Sequence, residues 1–120
     1  MDVKELGKRG EALAIEFLVK KGYRIDAVNF RNRLGEVDVI AFDPGRHEIV
    51  FVEVKTRRTH TFGEPEAAVH GLKLSTIEMV AESYLETIAS ASDEWRVDII
   101  SISISPQNVH IEHLENVGED

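Results

Sequence analysis

Two apolar runs on either side of a single strong turn set the tightest limit on how this chain can fold. Glu36–Phe42 and Glu48–Thr56 are rich in Val, Ile and Phe, and Asp43-Pro44-Gly45-Arg46 lies between them. Proline fixes one turn dihedral, glycine frees another, and an aspartate side chain can bond the turn's own amides. The runs are therefore predicted to be neighbouring antiparallel strands of one hairpin. A symmetric register about the turn pairs residue i with 89 − i, which sets Asp38 opposite Phe51 and diagonal to Glu53.

Around that hairpin the periodicity predicts two long helices. Val3, Leu6, Leu13, Ala14, Phe17 and Leu18 recur at helical spacing over Val3–Lys21, with Gly22 as the stop. Glu11 falls on the flank of that stripe, near Ala14 and Leu18. Leu74, Ile77, Val80, Ala81, Tyr84, Leu85 and Ile88 mark the second helix. Tyr23–Asn29 reads as a strand, followed by an arginine-bearing loop over Phe30–Gly35. Arg96–Ile104 reads as a strand, Asn108–Leu114 as an edge strand after Pro106, and Asn116–Asp120 as a frayed end. The order αβββαββ predicts an α/β fold, one mixed sheet flanked by helices. At 120 residues the chain is expected to form one domain. No apolar run exceeds four residues, which excludes a membrane-spanning helix. The lack of cysteine excludes thiolate chemistry and fits a reducing compartment, so the expected location is cytoplasmic.

The net charge of −8 is unevenly spread. Residues 1–60 carry 12 Lys/Arg against 10 Asp/Glu, whereas residues 61–120 carry 2 against 12. A polyanion would have to meet the first half, which holds Lys8, Arg9, Arg31, Arg33, Arg57 and Arg58. Two differently solvated faces would give the same asymmetry.

Side chains alternate along a strand, so Ile49, Phe51, Glu53 and Lys55 point one way and Val50, Val52 and Val54 the other. Asp38 shares its face with Ile40 and Phe42. Charges on such half-apolar faces are costly unless paired or bound to metal. One reading is an internal Asp38–Lys55 or Glu53–Lys55 ion pair. The other is a divalent-ion site in which Asp38 and Glu53 supply hard oxygen ligands to Mg²⁺ or Mn²⁺. Lys55 would then orient a water or stabilise charge on a phosphate, an arrangement suited to phosphodiester hydrolysis.

Asp38 with Glu53-Val54-Lys55 resembles the active-site motif of the PD-(D/E)xK nucleases, the restriction-endonuclease-like superfamily. Gly10-Glu11, Gly22-Tyr23, Asn29, Gly35-Glu36-Val37-Asp38 and Phe51-Val52-Glu53-Val54-Lys55-Thr56-Arg57 resemble the YraN-like family of small endonuclease-like proteins, itself similar to archaeal Holliday junction resolvases. The likeness continues more loosely through Ala68-Val69, Lys73 and Trp95-Arg96-Val97-Asp98. It implies an αβββαβ core, Asp38 and Glu53 as metal ligands, and Lys55 as the catalytic lysine. Glu11 matches the helix-one glutamate that joins the metal site in the resolvase-like branch. Val37 stands where the superfamily's proline would be.

Arg31, Arg33, Arg57 and Arg58 bracket these residues in sequence and are the candidate phosphate-backbone contacts, solvated loops being the alternative. Lys73 is placed either against a phosphate or beside Glu78. Glu36 reads as a turn or surface residue. Asp98, on the face of Ile100, Ile102 and Ile104, is expected to meet a structural partner such as an arginine. Trp95 and Phe62 read as packing residues, and the histidines form no metal set, since His110 and His113 face opposite ways. The expectation is an Mg²⁺-dependent endonuclease acting on DNA, branched DNA included, as a homodimer and away from membranes. The alternatives are a non-catalytic nucleic-acid-binding module of the same fold and an acidic protein-interaction adaptor.

Overall fold

Asp2 starts the first helix. Its carboxylate accepts the Glu5 N–H at 2.8 Å while the Glu5 carboxylate accepts the Asp2 N–H at 3.3 Å, a reciprocal capping box. The computed structural model describes residues 2–59, 74–88 and 94–118. Within them α1 spans Val3–Lys20, β1 Arg24–Asn32, β2 Gly35–Asp43, β3 Glu48–Arg58, α2 Leu74–Leu85, β4 Glu94–Ile104 and β5 Val109–Leu114. The order is the expected one, and Gly22 follows α1 in the left-handed region at φ 92°.

The sheet order is β1-β2-β3-β4-β5, with β3 and β4 parallel and every other pair antiparallel. This is the mixed sheet expected, with β5 on an edge. The predicted alternation along β3 holds. Val50 and Val52 pack with Ala14 and Leu18 of α1, whereas Ile49 and Phe51 pack with Ile77, Val80 and Ala81 of α2. The two helices therefore cover opposite faces. Trp95 packs edge-on against Phe51, their centroids 5.7 Å apart. No helix among the described residues is long and apolar enough to cross a membrane.

The buried stripe of α1 is Gly10, Ala14 and Leu18. Gly10 lies so close to β3 that a Cβ there would overlap the Thr56 side chain, and this contact fixes the neighbouring Glu11 relative to β3. Gly10→Ala is expected to cost about 1–3 kcal/mol through overpacking, read as a lower urea midpoint. Adding Thr56→Ala should recover part of that loss, because it deletes two of the three overlapping atoms.

Several expectations need correction. The β2–β3 register is 91 − i, with Asp43 paired to Glu48 and Val39 to Val52. His47 joins the turn at φ 58°, so four residues rather than two separate the paired positions. Phe30, Arg31 and Asn32 belong to β1 and not to a loop. Asn32 closes the tight turn by accepting the Leu34 N–H at 2.9 Å. Val3, placed on the buried stripe, is 84% exposed and lines an open cavity between α1 and β3 instead of the core. Of the segment expected to fray, Asn116 and Val117 are tied down, Asn116 N–H donating to Asp98 at 2.9 Å and Val117 N–H to the Val97 carbonyl at 2.8 Å, while residues 119 and 120 lie outside the described residues.

Asp98 does have an arginine partner, two residues away on its own strand. Arg96, its side chain only 2% exposed, donates to Asp98 and Asp43 at 3.0 Å, to Tyr23 at 2.8 Å and to Glu48. His113 bonds Asp98 Oδ2 at 2.7 Å, an oxygen that also accepts from Arg96 at 3.2 Å, while His110 pairs with Glu112. Burial alone would push the Asp98 and Asp43 carboxyls up. The bonds from His113 and Arg96 to Asp98, and from Arg96 and the turn amides to Asp43, outweigh it and hold both below the usual carboxylate value.

Candidate active site

The ladder between β2 and β3 closes at Val39↔Val52, yet β2 begins at Gly35 and β3 runs on to Arg58. Beyond the last pair the strands part. One further step of the same register brings Asp38 abreast of Glu53. In place of a ladder bond, the Asp38 carboxylate accepts the Val54 N–H at 2.7 Å. A carboxylate aimed by a backbone amide is fixed in direction without losing its second oxygen.

The opposite neighbour bends at the same level. Val28 pairs with Val39 and Phe30 with Val37, leaving Asn29 across from Asp38 with φ at 53°. Residues two apart on a strand ordinarily share a face. Here Val39 is buried in the α1 layer and Val37 in the α2 layer. The ribbon thus reverses faces at Asn29 and Asp38, which lets the Asp38 side chain turn into the gap beside β3. Asn29 also donates to Glu11 at 3.1 Å, tying α1 to this level of the sheet.

Asp38, Glu53 and Lys55 line cavities on both sides of the fork. The cavity on the α2 side, about 340 Å³, adds Glu36 and Thr76. The one on the α1 side, about 300 Å³, adds Glu11, Leu6 and Thr56. Lys55 Nζ lies 3.5 Å from Glu53, so the Glu53–Lys55 ion pair is present. Burial, then repulsion from Asp38, pushes the Glu53 carboxyl up against the pull of Lys55. Burial also pushes Asp38 up, opposed by the Val54 N–H and reinforced by the charges of Glu11 and Glu36. The fork concentrates negative charge that a single ammonium does not balance.

That charge excess and the all-oxygen donor set fit a hard divalent cation. The fit is to two carboxylates plus water and phosphate oxygens, the usual Mg²⁺ arrangement, rather than to a closed protein cage. Among the described residues no group of three His, Asp or Glu could hold a metal ion by itself. Glu11, expected to join Asp38 and Glu53, lines the cavity but is held by Asn29.

The candidate phosphate-binding residues are more scattered. Arg31 pairs with Glu36 at 2.6 Å near the tip of the β1–β2 hairpin, where Arg33 is exposed. Arg57 Nε donates to Ser103 at 3.3 Å. Arg58 lies on the α1 side beside Arg9. Lys73, Phe62 and Ala68-Val69 fall outside the described residues. Asn29, named in the sequence only as a motif residue, and Arg9, named only among the cations of the first half, had no place in the site until the fold supplied one. An asparagine is one of the few residues that tolerates the left-handed conformation, but nothing local in the sequence demands it here.

Comparison with known proteins places these residues in a wider group. A family model described as "Uncharacterised protein family UPF0102" matches residues 10–102, which include Glu11, Asp38, Glu53 and Lys55. A UPF0102 protein of Alkaliphilus oremlandii is 44% identical over 115 residues, covering 94% of this chain and 97% of the relative. One from Pelobacter propionicus is 40% identical over 119 residues, 98% of this chain and 85% of the relative. One from Caldicellulosiruptor bescii is 43% identical over 109 residues, 90% of each.

Proposed function

The chain belongs to the uncharacterised protein family UPF0102, the YraN-like group its motifs resemble, and we propose that within it this protein acts as a metal-dependent endonuclease cleaving phosphodiester bonds in DNA. The observation that carries the reading is the fork, where two repelling carboxylates and one lysine line a shared opening at the end of the β2–β3 ladder. A structural ion pair needs one carboxylate for one lysine. A second carboxylate beside that pair leaves negative charge that a bound cation would offset.

Asp38 and Glu53 would hold the ion, with Glu11 within reach of the same cavity. When bound, Mg²⁺ or Mn²⁺ supplies positive charge against the scissile phosphate and lowers the pKa of the attacking water. The Val54 N–H keeps the Asp38 carboxylate aimed. Lys55, an ammonium tethered to Glu53, stabilises negative charge on the phosphate as water adds and the P–O bond to the leaving sugar oxygen breaks. Arg31, Arg33, Arg57 and Arg58 supply the backbone grip, and cutting both strands of a branch would require two such sites, hence a homodimer.

The test is cleavage of branched, nicked and single-stranded DNA with Mg²⁺ or Mn²⁺ by wild type and Lys55→Ala. The expected result is metal-dependent cleavage that falls by about 10²–10³-fold in the variant, as for loss of one transition-state stabiliser. Binding without cleavage by the wild type would instead identify a non-catalytic module, and cleavage at the wild-type rate by Lys55→Ala would remove its assigned role.

A further inference from the structure

A second groove, of about 410 Å³, adjoins the forked site between α1 and the ends of β3 and β4. Leu6 walls both this groove and the α1-side cavity of the fork, so the two meet at one side chain. Arg58 follows Lys55 by three residues, about 10 Å along a strand. The groove therefore begins within a nucleotide or two of the carboxylates.

Its lining has two chemistries. Leu6, Ile104 and Pro106 give an apolar floor, and the exposed Arg9 and Arg58 supply guanidinium walls. Two arginines bring positive charge to one groove of a chain whose net charge is −8. A lone inorganic anion would leave the apolar floor unused, and an aliphatic ligand would leave the guanidiniums unused. A nucleotide whose base is free of a pairing partner satisfies both, since it offers a flat apolar face between charged phosphates.

We propose that this groove receives an unpaired nucleotide of the strand being cut, its base against Leu6 and Pro106 and its flanking phosphates on Arg9 and Arg58. The assignment rests on the nuclease reading for its place in the reaction. It narrows the substrate to duplex DNA with a single-stranded arm beside the scissile phosphate.

Fluorescence anisotropy without added metal, at about 50 mM salt, separates binding from cleavage. The probes are a labelled duplex bearing a single-stranded arm and a blunt duplex of equal length. Wild type is expected to prefer the armed duplex by about tenfold, the order for burying one base face against the apolar side chains of Leu6 and Pro106. Arg9→Gln with Arg58→Gln should abolish the preference and reduce the salt slope for the armed duplex by about 1.5, the value for two lost phosphate contacts. Both side chains are exposed, and an unchanged melting curve confirms that the fold is kept. Equal binding of the two probes by wild type, or a preference that survives the double substitution, overturns the groove assignment and leaves the nuclease reading standing. Failure to bind either probe overturns both.

Discussion

Asp38→Asn is expected to cut Mg²⁺-dependent cleavage by at least about 10²-fold and, in the same protein without metal, to raise the melting temperature. The amide keeps an oxygen that can accept the Val54 N–H but removes a charge that Glu11, Glu36 and Glu53 all oppose. The sign of the pH dependence follows from the raised carboxyls. A group that holds its proton more tightly when folded favours the native state fully below its unfolded pKa. That contribution is lost as pH rises through the folded value. For Asp38 and Glu53 the loss begins near the ordinary carboxylate values of 3.8 and 4.5, so at neutral pH both carboxylates weaken the metal-free fold. The gain from Asp38→Asn should be of the usual size for relieving a strained functional site, about 0.5–2 kcal/mol, and should vanish at acid pH. Added Mg²⁺ should raise the melting temperature of wild type and not of the variant. A variant less stable than wild type at neutral pH would show Asp38 to be a structural acceptor first.

The largest effect on stability is expected from Arg96→Met, at about 3–5 kcal/mol, a large part of the 5–15 kcal/mol typical of a domain. The substitution fills much of the same volume but leaves Asp98, Asp43 and Glu48 facing one another without their shared cation. In wild type the lowered carboxyls of Asp98 and Asp43 give the opposite pH signature to the fork. Their contribution is present above the unfolded value of 3.8 and disappears as pH falls below it toward the folded values. Urea unfolding at neutral pH and near pH 3 checks both points. The gap between Arg96→Met and wild type should be wide at neutral pH and narrow in acid, where protonation removes the unpaired charges.

The parts of this molecule legible in the sequence are those set by local periodicity. Alternation along Glu48–Thr56 put Phe51 and Val52 on opposite layers, and the charges of Glu53 and Lys55 stood out because they interrupt an apolar face. The site's finer geometry depends on backbone choices the residues permit without dictating. The left-handed His47 lengthens the turn and moves the register by two, bringing Asp38 from Phe51 to Glu53. The left-handed Asn29 reverses the ribbon, so the alternation that places Ile40 does not place Val37. Arg96 was hidden for another reason: Asp98 signalled that a partner was needed, but Asp43, Glu48 and Tyr23 meet it only through strand pairing and tertiary packing. Arg9 and Arg58 line one groove because α1 crosses β3 at Gly10 and Thr56.

The parallel pairing of β3 with β4 also bears on how the chain is made. β1, β2 and β3 form a meander of adjacent segments, whereas β4 begins 35 residues after Thr59. During synthesis the meander forms first, because short loops close before long ones. Until β4 emerges, β3 is an open edge carrying Ile49-Val50-Phe51-Val52, the kind of run that pairs with other chains. Glu53, Lys55, Arg57 and Arg58 follow within six residues, and charged residues flanking such a run act as gatekeepers against aggregation. The cations assigned to phosphate in the finished protein thus protect the nascent one, and neutralising them carries a cost in soluble yield separate from any cost in activity.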